Sequence, residues 1–543
     1  MPSDINNESL LHGFTPYATE QKQRYDDASL WHNQPLWSLL TQAANGQAEK
    51  VAVRDMDSTL SYRELLKQAD EVAQGLINQG FQPGDRLVMQ LTNSTPFALT
   101  FFALQRAGLV PIMALPAHGL TEIDHFVAVS GAKGYIGEGV AGSDMAQALR
   151  QNHAQLTQTY VLNHPQSPRP LPNQVNERLF TPPTVDPDHP ALFLVSGGTT
   201  GLPKLIPRSH NDYLLNIHQC AAAGELSEHD VYLAVLPAAH NFTLGCPGIL
   251  GTLYQGGQVV FSDQASPDYC FELIEQHRIS FTALVPSVAQ LWTEATEWED
   301  TELSSLRVMQ VGGSKLAYSD ARAIQAAFPA TLQQVFGMAE GLIACTRLKD
   351  SAHIIASTQG RAVSDWDEIR IVDTQGNEVP QGVEGELLTR GPYTLRGYYR
   401  APDHNARSFT HDGFYRSGDK VRIDANQSLT ITGRIKDVVN RAGECIAADE
   451  IEEHLLSHPQ VAQVAVVAVP DAYLGERIGV ALVGRGRPLT LQCLRQFLHT
   501  KNVATYKMPD ELHLVDSLPK TAVGKVDKKA VPGPCGNPWV LSA

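Results

Sequence analysis

Between Val51 and about Ser262, short β-rich apolar runs alternate with longer stretches whose apolar residues recur at helical spacing. Residues 86–91 read as a strand, 96–107 as a helix and 110–113 as the next strand, and the alternation returns at 259–261, 271–277, 281–284 and 308–311. Strand, helix and strand in succession predict βα units around parallel sheet. The run Ala191-Leu192-Phe193-Leu194-Val195 reads as a further buried strand. After about Ile354 the texture changes to short strands at 369–372, 385–389 and 429–432, separated by Gly, Asp and Asn turns, which predicts a small β-rich subdomain closing the large one. Residues 434–543 are enough for a separate small domain. They suggest a helix near 448–457, a strand at 464–469, a second helix near 491–499 and a strand-like run at 512–515. The expected architecture is α/β: an N-terminal core over 1–433 and a small, mobile α/β lid over 434–543, with the boundary near Arg434-Ile435-Lys436-Asp437. The proline- and glycine-rich tail from Val531 to Pro538 continues neither helix nor central strand.

Composition narrows the class. A chain of 543 residues is too long for one core. Its apolar share of 43% against 18% charged residues is that of a globular protein. The net charge of −16 argues against general binding to nucleic acid or anionic membranes, but leaves room for a nucleotide, which needs only local positive charge. The seven cysteines form no Cys-x-x-Cys pair, and the polar, acidic N-terminus lacks the apolar core of a signal peptide, so reduced thiols in the cytoplasm are expected. The apolar stretch 97–117 is broken by Gln105-Arg106, Gly108 and Pro111 and reads as a core helix leading into a strand, not as a membrane span.

Chemistry concentrates in Ser196-Gly197-Gly198-Thr199-Thr200-Gly201-Leu202-Pro203-Lys204, directly after the run 191–195. Glycines let backbone N–H groups approach an anion, and the hydroxyls and the lysine add donors for phosphate oxygens. It is not a Walker A loop, because Pro203 precedes the lysine and no Ser or Thr follows it. A flexible surface turn would have the same composition.

The full string resembles the phosphate loop of adenylate-forming enzymes, the superfamily of acyl- and aryl-CoA synthetases, peptide-synthetase adenylation domains and beetle luciferases. Five further segments match in the expected order: Leu60-Ser61-Tyr62-Arg63-Glu64-Leu65, Phe336-Gly337-Met338-Ala339-Glu340, Tyr415-Arg416-Ser417-Gly418-Asp419, Gly433-Arg434-Ile435-Lys436-Asp437 and Pro519-Lys520-Thr521-Ala522-Val523-Gly524-Lys525. The resemblance implies attack of a carboxylate on the α-phosphate of ATP, with release of pyrophosphate, in a site that must neutralise charge. It implies that Ser196, Gly197, Gly198, Thr199, Thr200, Gly201 and Lys204 hold phosphates, and that Glu340 holds Mg²⁺, a hard ion that takes oxygen ligands. Asp419 would accept from both ribose hydroxyls, and Arg434 would contact ribose or phosphate. Gly313, Ser314, Val335, Phe336, Gly337 and Ala339 fall at nucleotide-pocket positions. Lys525 would reach from the lid to the carboxylate and α-phosphate, and Lys436 would be the hinge that absorbs lid rotation between half-reactions.

For the second half-reaction, Asn440-Arg441-Ala442-Gly443-Glu444-Cys445 resembles the segment lining a pantetheine tunnel, with Arg477 as a phosphate partner or an ordinary surface arginine. Relatives commonly have Gly at Ala442 and Lys at Cys445, so the methyl narrows the tunnel and an amine is lost. Too few residues follow Lys525 for a carrier domain, so a phosphopantetheinylated aryl carrier protein is expected as a separate chain. Pro237-Ala238-Ala239-His240-Asn241-Phe242 resembles the stand-alone aryl-acid–AMP ligases of siderophore biosynthesis, in which neutral Asn241 suits a phenol hydroxyl. His240 joins the catalytic candidates, while Phe242, Cys246 and Ile343 join Asn241 around the acid. In relatives that take 2,3-dihydroxybenzoate the last two positions tend to be Ser and Val, and in salicylate ligases Cys and Leu. Salicylate is therefore the expected substrate, although Ile343 matches neither group. An aryl-CoA ligase, a luciferase-like oxygenase and a non-catalytic nucleotide-binding relative are the rival readings.

Overall fold

The alternating pattern resolves into two mostly parallel sheets. The computed structural model describes residues 10–533 except 164, 167–169, 175–179, 197–201, 314, 315, 317, 435–437, 487, 520–527, 529, 530 and 532, without the side chains of 433, 434, 447, 449 and 453. One sheet runs in the spatial order Gln158–Leu162, Gly134–Glu138, Arg86–Met89, Val110–Met113, Pro190–Val195 and Leu205–Ser209, parallel until the last strand folds back antiparallel. The other runs from Arg361–Ala362 through Ile343–Cys345, Thr331–Gly337, Val308–Gly312, Phe281–Leu284, Val231–Ala234, Gln258–Phe261 and Val51–Arg54 to Thr59–Ser61, parallel in its middle and antiparallel at both ends.

Helix Thr95–Arg106 is apolar nearly all round because it lies in a core cluster that draws on both sheets. It explains the apolar stretch read from the sequence, and no described helix is long and apolar enough to cross a membrane. Helix Tyr62–Asn78 starts where the motif places Ser61 and Glu64. Ser61 caps the Glu64 N–H while the Glu64 carboxylate accepts from the Ser61 N–H at 2.8 Å, a reciprocal capping box.

The β-rich subdomain is an antiparallel sheet of Glu368–Val372, Gly385–Arg390, Tyr415–Ile423 and Leu429–Arg434. Beyond it, a C-terminal sheet orders Glu444–Ala447, Val438–Arg441, Gly475–Gly484 and Val461–Asp471, with Glu511–Leu514 parallel to Gly475–Gly484. Helices Ala448–Leu456 and Leu491–Thr500 pack on it over a core of Val439, Ile446, Ile451, Val466, Val480 and Leu498. Tyr415–Ile423 and Gly475–Gly484 are among the inner strands that escape the sequence pattern. Both open on polar and glycine residues, and pairing on either side imposes extension that local propensity does not predict.

Candidate functional site

Antiparallel pairing of Pro190–Val195 with Leu205–Ser209 sets the two ends of the Gly-rich loop side by side. The Ser196 N–H donates to the Lys204 carbonyl at 2.9 Å, and the Lys204 N–H donates to Ser196 Oγ at 3.0 Å. Gly197, Gly198, Thr199, Thr200 and Gly201 lie outside the described residues, as do Ser314, Lys436 and Lys525. Lys204 Nζ stands 5.9 Å over the ring of Tyr398, within cation–π reach.

Glu340 follows the strand Thr331–Gly337 and is anchored through its backbone, the Leu395 N–H donating to its carbonyl at 2.7 Å. Its carboxylate accepts a 2.7 Å hydrogen bond from Tyr398 Oη, which in turn shares a 2.9 Å bond with Tyr415 Oη. Burial first, and then the Glu340 charge, push the Tyr398 phenol well above its ordinary range, so it remains a donor.

Strand periodicity sorts the pocket candidates of Thr331–Gly337. Val335 and Gly337 line the cavity, as does Ala339 beyond the strand end, whereas Phe336 points to the other face and packs near Leu342, Leu387 and Val421. Gly313 turns the chain just after Val308–Gly312 with φ +88°, a conformation that favours glycine. Asp419 lies within a strand, not in a turn. It is almost fully buried, donates its N–H to Ser417 Oγ at 3.0 Å and is in register with Arg434.

On the opposite wall, His240 caps the short helix Asn241–Gly245 by accepting the Phe242 N–H at Nδ1. In the neutral ring that network assigns the proton to Nε2. Asn241 Oδ1 accepts from Tyr213 Oη at 2.8 Å, and Asn241 Nδ2 donates to Cys246 Sγ at 3.3 Å. Asn241, Phe242, Cys246 and Ile343 all border the cavity.

The C-terminal sheet supplies a further wall. Its hairpin Val438–Arg441 and Glu444–Ala447 brings Gly443, Glu444 and Cys445 to the cavity. A Cβ on Gly443 would come within 2.6 Å of Val285 Cγ1, so only glycine fits this approach. Ala442 takes φ +51° and lies off the cavity lining. Arg441 and Arg477 are also absent from it. Arg441 forks onto Asp510 at 2.9 Å through both nitrogens, and Arg477 pairs with Asp471 and Glu511 at 3.4 and 3.5 Å. Cys445 Sγ donates to Asn440 Oδ1 at 3.1 Å.

The cavity that joins Ser196, Lys204, His240, Asn241, Glu340 and Asp419 measures about 280 Å³. Tyr398 and Tyr506 also line it, and Tyr213 stands behind Asn241, yet none of the three has a sequence signal beyond being a tyrosine. A family model described as AMP-binding enzyme matches residues 40–399, and the model of the AMP-binding enzyme C-terminal domain matches 450–525. The chain belongs to the AMP-binding enzyme family. It is 47% identical over 533 residues to the salicyl-AMP ligase / salicyl-S-ArCP synthetase of Mycobacterium tuberculosis, covering 96% of this chain and 94% of that one. It is 43% identical over 525 residues to the 2,3-dihydroxybenzoate-AMP ligase of Bacillus subtilis, covering 96% of this chain and 97% of that one. The apo structure of MbtA from Mycobacterium smegmatis superposes with a TM-score of 0.74 at 46% identity, covering 96% of this chain and 99% of that one.

Proposed function

We propose that this AMP-binding enzyme activates an aryl acid as its adenylate and passes the acyl group to the phosphopantetheine thiol of a separate aryl carrier protein in siderophore biosynthesis, with salicylate the preferred acid and 2,3-dihydroxybenzoate the second. The observation that carries the proposal is that one cavity is lined by Ser196 and Lys204 at the two ends of the phosphate loop, by the Asn241 wall and by the C-terminal hairpin. The named relatives on both sides of the substrate choice support the reaction and leave the choice of acid to experiment.

In the first step a carboxylate oxygen attacks the α-phosphorus of ATP, the bond to the β-phosphate oxygen breaks, and pyrophosphate leaves with the electron pair. Lys204 and the loop from Ser196 to Gly201 neutralise the phosphates. Asp419 holds the ribose hydroxyls and Arg434 assists. Gly313, Val335, Gly337 and Ala339 enclose the nucleotide. His240, with Nε2–H as a donor, faces the reacting oxygens. Glu340 is the carboxylate that fits Mg²⁺, since that ion takes one or two carboxylates and completes its shell with phosphates and water. Bound there, the ion would neutralise phosphate charge. Among the described residues no group of three or more His, Cys, Asp and Glu side chains forms a dedicated metal cage, consistent with a site completed by phosphates.

In the second step the thiol sulfur attacks the acyl carbon, the bond to AMP breaks, and the thiol proton leaves. Gly443 and Cys445 border the cavity, which supports entry of a pantetheine arm beside them, whereas Arg441 and Arg477 are engaged in ion pairs within the C-terminal unit. The lid spans 434–543 and pivots at Lys436, bringing Lys525 to the cavity for adenylation and the hairpin for transfer. The six described cysteines are free, in keeping with a cytoplasmic enzyme. ATP–pyrophosphate exchange over a panel of aryl acids tests the first step. Transfer to a phosphopantetheinylated carrier against transfer to CoA tests the second, and preference for CoA would make this an aryl-CoA ligase.

A further inference from the structure

We infer that Tyr213, which does not touch the cavity, fixes the direction of the Asn241 amide and so makes the acid site select ortho groups that accept a hydrogen bond over ortho groups that donate one. The inference rests on the reading of Asn241 as an aryl-acid residue.

Tyr213 sits in helix His210–Ala223 with no exposed surface. The Arg208 guanidinium lies 4.8 Å over its ring and is itself held by the buried Asp212 carboxylate at 2.8 Å. On the hydroxyl side the backbone closes in, and a Cβ on Gly245 would stand 2.7 Å from Tyr213 Oη. The tyrosine therefore has no room to turn away. Among the described residues its hydroxyl donates to one acceptor, Asn241 Oδ1, at 2.8 Å.

That bond decides which end of the amide faces which way. Turned round, Asn241 would offer an NH₂ to the phenol and leave the phenol proton buried without an acceptor, an arrangement that folded interiors avoid. With Oδ1 committed to Tyr213, the rest of the amide is a pure donor. One N–H reaches Cys246 Sγ at 3.3 Å, and Asn241 and Cys246 both border the cavity, so the side of the amide left to meet an acid there is its N–H side.

The consequence lies in the ortho position of the acid. In salicylate the phenol proton bonds internally to the carboxylate, leaving the phenol oxygen with an outward lone pair that accepts. In anthranilate, of nearly the same size, one N–H bonds to the carboxylate and the other points outward as a donor. A donor wall takes the first acid and rejects the second, because opposed donors leave buried polar groups unpaired.

The test measures kcat/KM for salicylate, anthranilate and benzoate by ATP–pyrophosphate exchange with the full chain. The wild type is expected to prefer salicylate over anthranilate by roughly tenfold or more. Tyr213→Phe removes one hydroxyl and frees the amide to turn, so that ratio should fall by about tenfold, mostly through KM. Asn241→Asp replaces the donor by an acceptor and should shift the ratio further towards anthranilate. Benzoate, with no ortho group, normalises each variant. A Tyr213→Phe enzyme that keeps the wild-type ratio overturns the inference. Should that variant not fold, an unchanged ratio in Asn241→Asp does so. A wild type that exchanges pyrophosphate with none of the three acids overturns this inference, and one that is silent with 2,3-dihydroxybenzoate as well overturns the adenylation reading itself.

Discussion

Lys507 and Glu122 meet at 2.8 Å across the interface between the C-terminal unit and the N-terminal core, with side chains only 2% and 1% exposed. The same ammonium binds Glu450 at 2.7 Å, so one lysine serves two buried carboxylates. Glu122 also accepts the Gly119 N–H at the start of helix Leu120–Ser130, so the pair is tied into the core fold. Burial alone would discharge Lys507. Glu450 and Glu122 outweigh it and hold the lysine above its ordinary pKa.

Removing this lysine should therefore be costly. Lys507→Met takes the shared ammonium from two buried carboxylates, a loss of about 3–5 kcal/mol by the usual measure of a broken buried ion pair. Glu122 belongs to the core and Glu450 to the C-terminal unit, so the loss falls on the docked arrangement in which Gly443 and Cys445 border the cavity. Acyl transfer is expected to slow more than pyrophosphate exchange in Lys507→Met, with Glu122→Gln showing a weaker version. Thermal unfolding and separate assays of the two half-reactions decide it. Equal loss in both steps would mean that the pair only stabilises the fold.

Acid should weaken the fold through His118. Burial pushes this ring down to about 4 from 6.5, with Lys507 adding to that and Glu122 opposing it. A depressed histidine costs nothing above pH 6.5, where both folded and unfolded chains hold it neutral. As pH falls from 6.5 towards 4, the unfolded chain binds a proton that the folded chain refuses, and stability drops. At pH 5 this amounts to about 2 kcal/mol. His118→Asn keeps an acceptor near the Leu115 N–H, which the ring now meets at 3.0 Å, and should flatten the decline. Denaturation midpoints at pH 5 and 7.5 measure it. Parallel losses in both proteins would assign the acid limb elsewhere.

The sheets were legible in the sequence where apolar runs are uninterrupted, as at Val110–Met113 and Phe281–Leu284, since burial on both faces leaves a continuous signal. Tyr415–Ile423 was not, because its extension comes from partners on either side and not from its own residues. The same distinction runs through the site. Motifs identified Ser196, Lys204, Glu340 and Asp419 as a set, and the fold brings them to one cavity. Phe336 was grouped with its neighbours although a period of two turns it away from Val335 and Gly337. In the sequence Arg441 reads as lining the tunnel and Arg477 as a phosphate partner, because the carboxylates Asp510 and Glu511 that engage them lie far along the chain. Lys507 and Glu122, 385 positions apart, carry no sequence signal for each other.

Lys525 should matter to one half-reaction. Lys525→Ala removes the positive charge proposed to act as the carboxylate attacks the α-phosphate, so acid-dependent pyrophosphate exchange should fall by orders of magnitude. Transfer from supplied aryl-adenylate should fall far less, because in the proposed lid rotation Lys525 serves only the adenylation step. A loss of equal size in both assays would refute the division of labour.

Lys436 should show the opposite bias. Proline fixes φ and cannot absorb a rotation of the lid, so Lys436→Pro should retain part of the exchange activity and lose thioester formation. Normal transfer by the variant would move the pivot to another residue.

The proposed preference for salicylate turns on Cys246 and Ile343. Both border the cavity with 4% and 2% of their surface exposed, and Cys246 Sγ is the acceptor of the Asn241 amide at 3.3 Å. A 3-hydroxyl on the ring would need a polar partner at this wall. A thiol is a bulkier and weaker partner than a serine hydroxyl, and Ile343 takes up more space than valine. Burying that hydroxyl poorly paired should cost about 1–3 kcal/mol, or roughly 5- to 150-fold in specificity. Cys246→Ser combined with Ile343→Val should therefore raise kcat/KM for 2,3-dihydroxybenzoate relative to salicylate. Since serine also accepts from the Asn241 amide, the wall for the 2-hydroxyl is kept, and the change should fall on the 3-position. Measuring kcat/KM for both acids in the wild type and the double variant decides the matter. A wild type that already prefers 2,3-dihydroxybenzoate, or a ratio that does not move, would show that these two side chains do not set the choice, while adenylation itself would stand.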